Sequence, residues 1–195
     1  MHVNAAALGR LTRKVRPELY VRCMKLKHRA MPLGMGFGET RFASPDKAFQ
    51  LIYVGIDLAT SIAEAIVRDR FEAPGPREMM ASEYAPWGAC EVSANDDLKV
   101  VDLRPRDACF QLGISTDITG AKCHDDARKF SQFIYDNTDI DGIVYASRLV
   151  GRDCIAIYDR AVTSKLLSSH VEDLARLVDL EPSLRELGID LIANP

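Results

Sequence analysis

The sequence lacks several features that would identify a membrane, secreted, repetitive or multidomain protein. The chain has no run of about 18 apolar residues, so we expect no membrane-spanning helix and no membrane partner. Its N-terminus lacks the charged start, apolar stretch and small-residue cleavage site of a signal peptide, which predicts a cytoplasmic protein. No repeat, low-complexity segment or linker divides the chain, and its 195 residues suffice for one domain with a full-sized core.

The cysteines and histidines show none of the spacings that hold zinc. The five cysteines are scattered and include no Cys-x-x-Cys pair, so we expect reduced thiols. The four histidines lack ligand spacing, and no metal site is predicted. Cys123 and His124 are adjacent, but neighbouring residues on a helix point apart, which makes them a poor nucleophile and base. Walker-loop and nucleophile-elbow signatures are also absent.

The charge balance gives no general reason to expect nucleic-acid binding, because the formal net charge is -3. Basic residues nevertheless cluster at positions 10–16 and again at 22–29. The preferred interpretation of the first group is a solvated arm, and the alternative is an anion-binding site. In the second group, the anion-binding site has more weight for Arg22. Residues 1–17 are therefore predicted to form an N-terminal arm, either a short helix or loose chain, ahead of a single domain at 18–195.

The predicted strands outnumber the helices and do not alternate regularly with them. Apolar or alternating stretches predict strands at 50–54, 89–93, 98–103, 143–146 and 154–158, a weaker one at 18–26 and a final one within 184–192. Helices are predicted at 106–112, at 125–135 and from residue 171. This order favours an α+β fold over a doubly wound sheet.

The central segment, residues 49–68, combines a strand, a turn and a helix. Gly55 ends the apolar strand, and Asp57 is placed to cap the following helix with its side-chain oxygen. Leu58, Ile62, Ala65 and Ile66 make an apolar stripe on that helix. Glu64 lies within the apolar run, either on the solvated face or beside a pocket. Such a unit can direct Tyr53 and Glu64 into one cleft.

Other polar and aromatic residues extend this pattern along the chain. Arg22 precedes a glycine-rich loop that contains Gly34, Gly36 and Gly38, and the pair Arg41-Phe42 follows that loop. Much later, the segment 141–148 ends in Ser147 and Arg148. Taken in this order, with Tyr53 and Glu64 between them, these residues resemble the RES-domain family, over about residues 19–159. Arg22 and Arg29 are both candidates for the first arginine of the family pattern.

The resemblance implies a small α+β domain similar to the ADP-ribosyltransferases, with a split antiparallel sheet around an NAD cleft. Many members are toxins of bacterial toxin–antitoxin pairs, and their antitoxins carry a helix-turn-helix domain and block the cleft. The activities implied are consumption of NAD as a substrate, by hydrolysis or by phosphorolysis with inorganic phosphate, and ADP-ribosylation of a protein. The sequence leaves the acceptor open among water, phosphate and a protein side chain, and a catalytically silent binding module is a further alternative.

The residue types suit this chemistry. Cleavage of the nicotinamide–ribose bond builds positive charge on the ribose, which the carboxylate of Glu64 can stabilise. The ring of Tyr53 can stack on nicotinamide, and the guanidinium groups of Arg22 and Arg41 match phosphate oxygens. The hydroxyl of Ser147 can donate to phosphate or ribose. Glu64, Arg22 and Tyr53 are therefore the predicted catalytic residues, and Arg41, Tyr53, Ser147 and Phe42 the predicted ligand-binding residues.

Overall fold

The computed structural model describes residues 1–68, 70–71, 74–120 and 122–192. Its strands are β1 (Thr12–Val15), β2 (Tyr20–Lys25), β3 (Leu51–Gly55), β4 (Glu78–Met80), β5 (Trp87–Ala94), β6 (Leu98–Asp102), β7 (Gly142–Ala146), β8 (Asp153–Tyr158), β9 (Leu166–Ser168), β10 (Glu172–Asp173) and β11 (Asp190–Ile192). Its α-helices are α1 (Ala5–Leu11), α2 (Leu58–Ile62), α3 (Ala81–Tyr84), α4 (Ala108–Leu112), α5 (Asp117–Gly120), α6 (Asp125–Asn137), α7 (Asp159–Lys165) and α8 (Leu180–Glu186). A π-helical turn, Ala63–Val67, continues α2.

Most strands belong to one curled sheet flanked by helices. Within the described residues its order is β1-β6-β7-β8-β3-β2-β5-β10, and β9 also pairs with β5. The β6–β7 pair is parallel and the other pairs of this sheet are antiparallel, while β4 and β11 form a separate parallel pair. The α+β class predicted from the sequence is confirmed.

The sheet is nearly split between β2 and β3, whose register contains the single pair Val21 and Gly55. Ser61 from α2 fills the junction: its hydroxyl donates to the Val21 carbonyl at 2.7 Å and accepts from the Gly55 amide at 3.2 Å. A Cβ atom at Gly55 would lie 2.7 Å from the Ser61 hydroxyl oxygen, so glycine is required for this close approach. Beyond the junction the two strands are free to diverge.

Alternate residues of the central strands pack into different cores. Ile143 and Tyr145 join a cluster that includes Phe130 and Ile134 of α6, whereas Val144 joins a cluster that includes residues of α7. This alternation is what a sheet covered on both faces requires. A third cluster, with Ile62 and Leu184 among its members, joins α2 to α8.

Most predicted elements are present, with ends shifted by no more than two residues. The strands predicted at 50–54, 143–146 and 154–158 correspond to β3, β7 and β8, and the helix predicted at 125–135 corresponds to α6. β5 and β6, which follow one another along the chain, lie in different halves of the sheet and do not pair. The helix predicted from residue 171 is wrong, because β10 follows Val171 and α8 begins at Leu180.

Residues 1–17 are part of the fold. The predicted short helix is present as α1, and Ala7 and Leu11 on it are buried in the first core. The loose-arm alternative is wrong, because β1 pairs along its whole length with β6. Among the described residues, no helix is long and apolar enough to cross a membrane.

Candidate active site

A cavity of about 290 Å³ lies between the diverging strands. β3 forms one wall, and Arg22 and Cys23 of β2 contribute to another. The glycine-rich loop, the π-helical turn, the segment after β7 and residues within 119–124 also contribute to the lining. This volume is near the lower end of the roughly 300–1,000 Å³ that is usual for ligand pockets. The structure brings Arg22, Tyr53 and Glu64 into this one cavity, as the sequence predicted for the last two.

Glu64 reaches the cavity from the π-helical turn that continues α2. Asp57 caps α2 by accepting the Thr60 amide at 2.8 Å, as predicted. Of the predicted apolar stripe, Ile62 is fully buried, whereas Leu58, Ala65 and Ile66 are half-buried. The wider turn changes which side chains face the core, and π-helical turns recur at functional sites.

Two hydroxyl groups fix the carboxylate of Glu64. Ser147 donates to its Oε1 at 2.6 Å, and Tyr145 makes a longer contact to its Oε2 at 3.4 Å. Burial, followed by the nearby Cys154 and Glu64, raises the pKa of Tyr145 well above its ordinary value, so its hydroxyl keeps its proton. The carboxylate is thus held from both oxygens in one orientation.

Ser147 supports Glu64 and does not line the cavity. Ser147 is 3% exposed, and its hydroxyl donates to the Glu64 carboxylate. In this arrangement the hydroxyl does not contact a phosphate or ribose in the cavity. The loop 147–152 is also tied to the start of the Glu64 helix, because Arg152 pairs with Asp57 at 2.9 Å. Tyr145, which does line the cavity, was not among the predicted site residues.

The hydroxyl of Tyr53 forms two hydrogen bonds within the protein. It accepts from the Phe42 amide at 2.9 Å and donates to the Thr40 hydroxyl at 3.0 Å, and burial raises its pKa. Tyr53 lines the cavity. Phe42, predicted to bind the ligand, is 0% exposed and packs edge-on against Tyr145, with ring centroids 5.2 Å apart. Phe42 therefore belongs to the core behind the site, and its backbone amide orients Tyr53.

Arg22, rather than Arg29, lies at the cavity. Its guanidinium donates to the Pro32 carbonyl at 2.6 Å and to the Gly34 carbonyl at 2.7 Å, so it holds the glycine-rich loop. Burial lowers its pKa, against an opposing effect of Cys90. Arg29 pairs with Asp173 on the outside of the sheet and does not line the cavity.

The charged lining of the cavity is mostly cationic. The cations are Arg22, Arg41, Arg68, Lys122 and Arg148, and Glu64 is the one carboxylate among the described lining residues. Arg41 donates to the Ile118 carbonyl at 3.2 Å; burial lowers its pKa, while Tyr145 and Glu64 act in the opposite direction. A cavity with this balance attracts an anionic ligand.

The thiols near the site are unsuited to nucleophilic catalysis. Cys23 and Cys154 line the cavity, and burial raises the pKa of Cys23 to about 12 and that of Cys154 still further. The reactive form of cysteine is the thiolate, which these environments disfavour at neutral pH. Within the described ranges, no group of three histidine, cysteine or acidic side chains is placed to hold a metal ion.

Comparisons with known proteins agree with this geometry. The RES-domain family model matches residues 19–178. A chain in the crystal structure of the M. tuberculosis MbcT–MbcA toxin–antitoxin complex has the same fold, with a TM-score of 0.63 and 15% identity over 95% of this chain and 98% of that one. No curated protein sequence matches the chain.

Proposed function

This chain belongs to the RES-domain family, and from that premise we propose that it is the toxin of a toxin–antitoxin pair that cleaves the nicotinamide–ribose bond of NAD. One observation carries the proposal: among the described lining residues of the cavity there is one carboxylate, fixed by two hydroxyls, and the other charged groups are cations. The carboxylate matches the charge that develops on the ribose, and the cations match the pyrophosphate.

The reaction breaks the bond between ribose C1′ and the nicotinamide nitrogen. Nicotinamide leaves with the bonding electron pair, and positive charge develops on the ribose in an oxocarbenium-like transition state. A carboxylate held in advance stabilises that charge without reorganising during the reaction. The two hydroxyl contacts to Glu64 supply this preorganisation, and the aromatic residues Tyr53 and Tyr145 line the same cavity.

The cationic residues suit the pyrophosphate and a second anion. Among the residues that the structure describes, five cationic side chains line the cavity, and a pyrophosphate carries two negative charges. We assign phosphate binding to Arg41, which lines the cavity and whose planar guanidinium fits phosphate oxygens. The acceptor is either inorganic phosphate, a second anion of the kind that a cationic cavity binds, or water in the alternative hydrolysis.

The family suggests an alternative reaction and an inhibitory partner. Transfer of ADP-ribose to a protein side chain uses the same bond cleavage with a different nucleophile. A cognate antitoxin, with a helix-turn-helix domain of its own, would inhibit the enzyme by covering the cavity, since a carboxylate-bearing segment can pair with the same cations. A complex of this kind should compete with NAD.

The decisive experiment compares the parent protein with Glu64→Gln. Purified protein is incubated with NAD, with and without inorganic phosphate, and the products are identified. Loss of a transition-state stabiliser of this kind lowers turnover on the order of a hundred- to a thousandfold. Glu91→Gln, which changes an exposed glutamate on β5, is the matched control and should keep parental turnover.

Each outcome has a distinct meaning. Phosphate-dependent release of nicotinamide supports phosphorolysis, phosphate-independent release supports hydrolysis, and release only with added protein extract supports protein modification. Near-parental turnover by folded Glu64→Gln would remove Glu64 from the mechanism. An inert parent protein, together with equal growth of cells that express parent or Glu64→Gln without an antitoxin, would favour the silent binding module.

A further inference from the structure

Phe37 is a large apolar residue exposed at the cavity. It lines the cavity, yet 56% of its surface is exposed. It lies between Gly36 and Gly38, and a Cβ atom at Gly36 would meet no atom within 4 Å. Phe37 is therefore not packed into a core.

The loop that carries Phe37 is anchored on both sides of it. On the N-terminal side, Arg22 binds the carbonyls of Pro32 and Gly34, and Gly36 forms an isolated bridge with Leu51 of β3. On the C-terminal side, the Thr40 hydroxyl accepts from Tyr53 at 3.0 Å. An exposed aromatic ring on a loop held in this way is presented to the cavity at a defined place.

We infer that Phe37 is a stacking platform for one of the two planar heteroaromatic rings of the dinucleotide. This inference rests on the proposed function and assigns a binding residue to the same site. Cationic side chains for phosphates and an exposed aromatic face for a base are the two features that proteins combine when they bind nucleotides. Phe110 is more exposed, at 77%, but lies outside the cavity, and no such role follows for it.

Stacking by Phe37 is a substrate-binding contact, so its removal should weaken binding. Replacing an aromatic side chain under a base with alanine weakens binding about fivefold to a hundred-and-fifty-fold. An aromatic replacement should restore the affinity, whereas an apolar residue without a ring should not. The exposure of Phe37 makes it unlike a core residue, and Phe37→Ala should fold as the parent does.

The test measures dissociation constants by calorimetry for two ligands, under conditions in which neither is consumed. ADP-ribose retains the adenine ring and is measured on the parent protein. Nicotinamide mononucleotide retains the other ring and is measured in the Glu64→Gln background, to prevent cleavage. Phe37→Ala, Phe37→Leu and Phe37→Trp are compared with Phe110→Ala, which matches the change in side chain at an exposed position outside the cavity.

The expected result is weaker binding by Phe37→Ala and Phe37→Leu, recovery by Phe37→Trp and parental binding by Phe110→Ala. A defect confined to ADP-ribose identifies adenine as the stacked ring, and one confined to the mononucleotide identifies nicotinamide. Parental affinity of Phe37→Ala for both ligands overturns the stacking inference alone. If the parent does not bind ADP-ribose and Glu64→Gln does not bind the mononucleotide, both this inference and the proposed function are overturned.

Discussion

Replacement of Ser147 by alanine separates two roles for this hydroxyl. The structure gives it the role of orienting Glu64, at 2.6 Å from Oε1, whereas the sequence had indicated a contact with phosphate or ribose. A hydrogen bond to a charged group contributes about 1.5–3 kcal/mol. If that energy is lost from the transition state, turnover falls about tenfold to a hundred-and-fifty-fold, at about 1.4 kcal/mol for each factor of ten.

The measurement is kcat and KM for NAD cleavage. Because Ser147 does not line the cavity, kcat should fall while KM changes little. A hydroxyl that binds the ligand equally in both states would instead raise KM and leave kcat unchanged. Since the backbone amides of Leu149 and Val150 also approach the Ser147 oxygen, at 3.3 and 3.4 Å, thermal melting must accompany the kinetics.

Ser131→Ala is the matched control for this experiment. Ser131 is also a buried serine with a short hydrogen bond, 2.7 Å to the Phe42 carbonyl, but it lies outside the cavity. A loss of activity that reflects only lower stability should appear in both variants. If folded Ser147→Ala has parental kcat, or raises KM alone, the orienting role is refuted.

The remaining predictions concern the fold around the site. Deletion of residues 1–17 should lower the melting temperature because it removes β1 and the buried face of α1. Arg10→Ser, which changes only an exposed charge, should not lower it. Equal melting temperatures of the deletion variant and the parent would contradict this prediction. Gly55→Ala should destabilise the protein and reduce turnover, since its Cβ would lie 2.7 Å from the Ser61 hydroxyl; parental melting and activity would show that the junction can relax. Burial opposes ionisation of Asp102, but the contacts of its carboxylate with Arg104 outweigh burial and lower the pKa of Asp102 below 3.8. The contribution of Asp102 to stability is therefore present above that pH, and it is lost as the pH falls through the folded-state pKa. Asp102→Asn should therefore flatten the acid-unfolding profile measured by circular dichroism, and an unchanged profile would exclude Asp102 as its source.

Local signals were sufficient for the elements that carry the site. Gly55 and Asp57 mark the end of β3 and the start of α2 through their own backbone and side-chain chemistry, and the structure has both. The same holds for β7 and β8, whose apolar runs are typical of buried strands. Such signals depend on residues within about one helical turn or a few strand positions of one another.

The spacing of apolar residues in α2 was not sufficient to predict which side chains of the segment are buried. Regular helical spacing groups Leu58, Ile62, Ala65 and Ile66, but the segment buries Ile62 together with Ala63 and Val67 of the π-helical turn and leaves the other three half-buried. Tertiary packing against α8 and the sheet determines which of these faces is buried. The helix predicted from residue 171 failed for a similar reason, because Glu172 and Asp173 pair with β5 on the edge of the sheet.

The sequence by itself determined the α+β class, the strand, turn and helix at 49–68, and the residue types that an anionic ligand and a carboxylate mechanism require. Only the tertiary structure decided what each side chain contacts. Ser147 and Glu64 meet across 83 positions of the chain, and Phe42 lies in the core while Phe37, five residues earlier, faces the cavity. The physical reason is that caps and periodicity are set by near neighbours, whereas these hydrogen bonds and the exposure of a ring depend on strands brought together from distant parts of the chain.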